Sequence, residues 1–184
     1  MAERAGPVRK QLEFLLNGFS FYARRDQARA DDLLVRQRAA AALGHSAAAL
    51  QQLAAAYRRA FLPDPTRERP VPPAGALAGL RAIDRLCSGT RDAESLLRGQ
   101  GFPASDRTWA RLRGEQGALD LALAFDQRLI TDSDRLEQCC RAVTPEALGP
   151  EPGTEPAALA AAREALDGIR RTMAERAAHL GLQP

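Results

Sequence analysis

Aromatic side chains make up only 5% of this 184-residue chain, with one tryptophan and two tyrosines. Lysine is nearly missing, Lys10 being the only one. Valine and isoleucine are also scarce, which removes the usual side chains of a half-buried strand. Three cysteines, Cys87, Cys139 and Cys140, form no disulfide framework, and such an odd set suits a reducing compartment. No apolar run approaches the roughly 20 residues of a membrane-spanning helix. The opening stretch MAERAGPVRKQLEFLL lacks the apolar core and small-residue cleavage site of a secretory signal. These absences predict an intracellular, cytoplasmic chain without a membrane span, the nucleus being left open.

Alanine and leucine supply most of what is hydrophobic here, 45% of the chain, and both are strong helix formers. A chain of this length buries about 70% of its unfolded surface, so it needs no disulfide or metal staple. Arginine and lysine number 26 against 23 acids. Residues 1–62 carry ten basic and five acidic groups, whereas residues 118–184 carry seven and eleven. Basic stretches such as RRDQARADD are interleaved with acids, so the asymmetry fits two halves attracting each other within the fold or across an oligomer.

Apolar residues at Leu12, Leu15, Leu16, Phe19 and Tyr22, and again at Ala30, Leu33 and Leu34, recur at helical spacing. With Pro7 in the first turn they predict one long helix over 7–43, stopped by Gly44. Ser46 is then placed to cap a second helix reaching Leu62, with Leu50, Leu53, Ala54, Tyr57 and Phe61 on one face. The short Gly44-His45-Ser46 connection makes an antiparallel hairpin of residues 7–62. Prolines crowd residues 63–75, PDPTRERPVPPAG, and mark a crossover linker.

Residues 76–184 form the C-terminal helical part. Short helices are expected over 76–87 and 91–98, separated at Ser88-Gly89-Thr90 with Thr90 as the cap. A long helix over 115–143 follows, turning Ala118, Ala122, Phe125, Leu129, Leu136, Cys139 and Val143 inward, with Asp132 interrupting. TPEALGPEPGT is a second linker. The last helix, 155–180, places Leu159, Ala162, Leu166, Ile169, Met173 and Leu180 at steps of three, four and seven. The fold class is therefore all-α: one helical domain over 1–184, an antiparallel helical bundle of three long and three to four shorter helices with Pro-rich crossover loops.

Motifs that carry chemistry are sparse. Gly99-Gln100-Gly101-Phe102-Pro103-Ala104 satisfies G-x-G-x-x-A, yet a dinucleotide site needs that motif after a strand, and here helical residues precede it. Residues 96–113 outline a rough helix-turn-helix, in which Arg107, Arg111 and Arg113 would reach phosphates or guanine edges. The long turn, Pro103 within it and the divergent faces of the arginines favour a plain helical corner anchored by Trp109. His45 reads as a solvent-facing loop residue, and beside Ser46 it does not set a base against a nucleophile. Cysteine and histidine spacings match no zinc or di-iron pattern. Asp132-Ser133-Asp134 lacks the glycine and further ligands of a calcium loop, and Asp31-Asp32 reads as a solvated face.

With no catalytic residue, metal or cofactor predicted, the expectation is a non-catalytic helical interaction protein, that is, an adaptor, assembly factor or complex subunit. It would bind a protein partner or a second copy of itself through exposed amphipathic helix surface. Phe21, Tyr22, Arg24 and Arg25 are the candidate contact residues, because Phe19, Phe21 and Tyr22 cannot all face one core. The alternative is a nucleic-acid-binding regulator that uses the corner at 96–113.

Overall fold

Alanine-rich apolar stripes at three- and four-residue spacing dictate helices. The computed structural model describes residues 24–62, 64, 71–100, 116–149 and 157–181, and among them it contains five helices and no strand. The protein is all-α. Helix α1 spans Arg24–Phe61, α2 Ala74–Gly99, α3 Gln116–Ala142, α4 Pro145–Leu148 and α5 Ala157–Leu180. At 38 residues α1 is about 57 Å long.

Two expected breaks are absent, which changes the helix count. Gly44 and Ser46 lie inside α1, and Ser88-Gly89-Thr90 lies inside α2, so the described residues form four long helices and one single-turn helix, with no break at either place. Helical glycine costs about 1 kcal/mol relative to alanine. Continuous burial on either side outweighs that cost: Ala39, Leu43, Ala47, Leu50, Ala54 and Tyr57 keep one stripe running through Gly44. No hairpin forms within α1, and residues 7–23 of the expected first helix lie outside the described residues.

The two hydroxyls expected to cap helices do something else. Ser46 Oγ donates to Ala42 O at 2.7 Å and Thr90 Oγ1 to Leu86 O at 2.8 Å, as Thr131 Oγ1 does to Gln127 O at 2.8 Å in α3. Bonding back to the preceding turn satisfies each hydroxyl in mid-helix, so none of them frees the backbone to stop. Thr144 is a genuine cap. It precedes Pro145, accepts from the Ala147 N–H at 3.3 Å and opens α4, which Gly149 closes at φ 60°.

Side-chain contacts set the helix directions. Arg36 reaches Gln100, Cys87 reaches Ala47 and Arg58 meets Asp84, so α1 and α2 run in opposite senses. Arg176 meets Asp126, Glu175 meets Arg128 and Glu164 meets Arg135, so α3 and α5 do likewise. Arg38 with Asp134 and His45 with Glu137 lay α3 alongside α1 in the same sense. One apolar cluster draws on all four long helices, from Leu43 and Tyr57 through Ile83 and Leu129 to Ile169 and Met173.

Tyr57 fastens the end where α1 finishes. Its ring is fully buried, packs 4.9 Å from the Phe61 ring, and its Oη donates to Gly149 O at 2.7 Å. A Cβ on Gly79 would stand 2.4 Å from that oxygen, so the phenol needs glycine beneath it.

Candidate interaction surface

At the opposite end, the register of α1 is set by Val35, Ala39 and Leu43, all buried. Helical geometry then turns Asp32 inward, three residues before Val35, and swings its neighbours outward. Asp32 is 5% exposed, whereas Leu33 and Leu34 are 47% and 43% exposed. This reverses the expectation of a solvated Asp32 beside inward leucines.

Asp32 is accommodated by charge pairing. Arg176 of α5, 3% exposed, donates through Nη2 to Asp32 Oδ1 and through Nε to Asp126 Oδ1 at 2.8 Å. Arg36 donates to the second Asp32 oxygen at 2.8 Å and, through Nη1, to Gln100 O just past α2. One network thus ties α1, α2, α3 and α5 at the same level. Burial would lower the Arg176 pKa, but the Asp126 and Asp32 carboxylates outweigh it and hold the guanidinium firmly charged. Its Nη1 is buried with no hydrogen-bond partner among the described residues.

The other exposed helical leucines lie at this same end. Leu96 is 59% exposed one turn before Gln100, and Leu121 is 44% exposed one turn before Phe125 and Asp126. Leu33 also lines a shallow recess of about 200 Å³ with Arg36, Gln37, Ala40 and Arg98. The remaining exposed large apolar residue among those described, Val71, precedes α2 at the opposite end. The chain enters α1 at this end, leaves α2 and enters α3, so residues up to 23 and residues 101–115 are joined to the helices here.

Those joined segments carry the residues singled out from sequence. Phe21, Tyr22, Arg107, Arg111, Arg113 and Trp109 lie outside the described residues, as do the side chains of Arg24 and Arg25 in the first turn of α1. The residues that sequence reasoning missed are Asp32, Arg36, Asp126 and Arg176. One signal for Arg176 was present: the stripe of α5 steps from Met173 to Leu180, and the skipped position is 176.

The other polar groups have structural surroundings. His45 is mid-helix rather than in a loop, 63% exposed, with Nδ1 3.3 Å from Glu137 Oε1. Cys140, not Cys139, is the buried member of its pair, and burial above all pushes its thiol up to about 12. Burial likewise raises Cys87, which donates to Ala47 O at 3.7 Å. Such thiols are poor nucleophiles. Among the described residues, no three Cys, His, Asp or Glu side chains gather to hold a metal ion, and no helix is long and apolar enough to cross a membrane. No protein-family model matches the chain, and no curated protein or solved structure matches it either.

Proposed function

We propose that this chain is a non-catalytic helical interaction protein, an antiparallel bundle that binds a protein partner or a second copy of itself through its leucine-bearing end. The observation that carries the reading is the reversal in α1, where Asp32 is buried while Leu33 and Leu34 face out. Exposed leucines are ordinary when scattered, but here those of three helices lie toward the one end where α1 begins, α2 finishes and α3 begins. The buried network beneath them braces the four helices, and a rigid platform loses little conformational freedom when a partner docks. An adaptor, assembly factor or complex subunit working inside the cell fits this arrangement.

The test is parallel capture from the native cell, with nuclease treatment, using the wild type and a variant carrying serine at positions 33, 34, 96 and 121. A stoichiometric protein retained by the wild type and lost by the variant is the expected result. Partners that vanish with nuclease, or that both proteins retain equally, would overturn the reading.

A further inference from the structure

Aromatic residues are rare in this chain, yet three of its six phenylalanines and one of its two tyrosines fall within residues 14–22. Leu12, Leu15, Leu16, Phe19 and Tyr22 make a stripe at helical spacing with no charged member. The stripe is joined to the bundle at Arg24, where α1 begins, and the same end exposes Leu33, Leu34, Leu96 and Leu121. Leu33 and Leu34 lie about 14–15 Å along α1 from Arg24. The eleven residues from Leu12 to Tyr22 span up to about 36 Å, so the stripe reaches these leucines from its point of attachment.

Charge around the leucines is already compensated. Arg36 stands 2.7 Å from Asp32, Arg98 2.8 Å from Glu94 and Arg38 3.1 Å from Asp134. These ion pairs are complete within the chain, so the occupant that fits between them is apolar and uncharged. The recess of about 200 Å³ beside Leu33 adds a requirement of shape. Leu33, Arg36, Gln37 and Ala40 stand at i, i+3, i+4 and i+7, a diamond of four residues that receives one side chain from a facing element. Arg98 of α2 borders it. An uncharged stripe of large apolar residues, delivered at this end, meets both requirements.

We propose that the chain's own stripe, Leu12, Leu15, Leu16, Phe19 and Tyr22, covers the leucine-bearing end, and that a partner docks there by displacing it. The proposal rests on that end being a docking surface and adds how access to it is set. So short a tether holds the stripe at a local concentration on the order of millimolar. A partner then binds only the uncovered fraction, and its apparent affinity falls with that fraction. One helix running straight through 7–43 would carry the stripe away from the leucines, so proximity separates the two arrangements.

Photo-crosslinking measures that proximity, with a benzophenone side chain placed at position 34 of the full chain and, for comparison, at position 71. Position 34 should link within one molecule to residues 12–22, at a yield independent of protein concentration, and position 71 should not. Leu15→Ser combined with Phe19→Ser should cut the yield at least roughly fivefold. A fluorescein-labelled peptide of residues 7–23 tests displacement by fluorescence anisotropy. It should bind this double variant at least roughly fivefold more tightly than the wild type, because the end is uncovered. Adding Leu33→Ser and Leu34→Ser should remove that binding. Both leucines are exposed, so an unchanged thermal unfolding curve confirms an intact fold. No partner enters either measurement, so they fail independently of capture from the cell. Links from position 34 to residues 101–115, to a second copy or to none of residues 12–22 would overturn the proposal, as would a peptide affinity equal in all three proteins.

Discussion

Asp32 and Arg176 stand 144 positions apart in the chain and meet as a buried ion pair, with side chains 6% and 4% exposed. Asp126 takes the other edge of the same guanidinium and Arg36 the other edge of the same carboxylate. Removing one member of a buried pair strands a charge out of water, at a cost of about 3–5 kcal/mol. Arg176 would keep Asp126, so Asp32→Asn is expected to destabilise by about 3 kcal/mol, the lower end of that range, in urea unfolding. Asp134→Ala is the comparison. Its partner Arg38 is 58% exposed, and the loss should stay below about 1 kcal/mol.

Two glycines should respond to alanine in opposite directions. A Cβ on Gly44 meets nothing nearer than Glu94 Oε1 at 3.5 Å, an ordinary contact. Gly44→Ala should therefore gain about 0.5–1 kcal/mol from helix propensity. On Gly79 the Cβ would stand 2.4 Å from Tyr57 Oη and 2.9 Å from Cζ of a fully buried ring. Gly79→Ala should destabilise by about 1–3 kcal/mol, the usual cost of overpacking. A pair of thermal melts decides both signs.

Asp132 gives a pH dependence. Burial first, against partial relief from Arg135, Arg128 and Arg171, raises its pKa above the ordinary 3.8. The native state then holds a proton that the unfolded chain has released, so stability falls as pH rises between the two values. Above the raised pKa the ionised carboxylate weakens the fold, and below 3.8 it does not. Asp132→Asn should consequently be stabilising near neutral pH, with the gain fading in acid. Urea midpoints of both proteins across pH 3 to 7 measure it. A gain that grows toward acid would have the wrong sign.

Thiol chemistry should separate the cysteines. Cys87 and Cys140 are buried with raised pKa values, and Cys139 is half-buried. In the native protein a disulfide exchange reagent should label Cys139 first. The other two should react at rates that track unfolding, because only the thiolate is nucleophilic. Rapid native labelling of all three would contradict the packing at Cys140.

Much of this fold can be read from local spacing. Leu159, Ala162, Leu166, Ile169, Met173 and Leu180 are all buried, as their steps of three, four and seven predict, and so are Phe125, Leu129 and Leu136 in α3 and Val143 just past its end. Local signals failed where two outcomes share one composition. Ser46 and Thr90 can cap a helix or bond back to the preceding turn, and only the burial of Leu43, Ala47, Leu86 and Ala93 around them selects the second. Asp32 reads as a surface residue because its partner is on a helix far along the chain. Leu33 and Leu34 read as core for the same reason, since the register that turns them out is imposed by Val35, Ala39 and that distant arginine. The contact residues expected at Phe21, Tyr22, Arg24 and Arg25 are joined to the end that these leucines mark.

The role of that end is tested most directly by measuring association with single substitutions. Sedimentation equilibrium would compare Leu33→Ser, Leu34→Ser, Leu96→Ser and Leu121→Ser with Val71→Ser, using the captured partner, or the protein alone where the partner is a second copy. Val71 is 74% exposed but lies at the far end of α2, so it reports on apolar exposure without the site. An anchoring leucine at an interface is worth about 1–2 kcal/mol. At least one of the four leucine variants should therefore weaken association by roughly five- to thirtyfold with its unfolding midpoint unchanged, while Val71→Ser matches the wild type. Association that all four leucine variants retain, or that Val71→Ser weakens equally, would contradict a docking surface at the Asp32–Arg176 end.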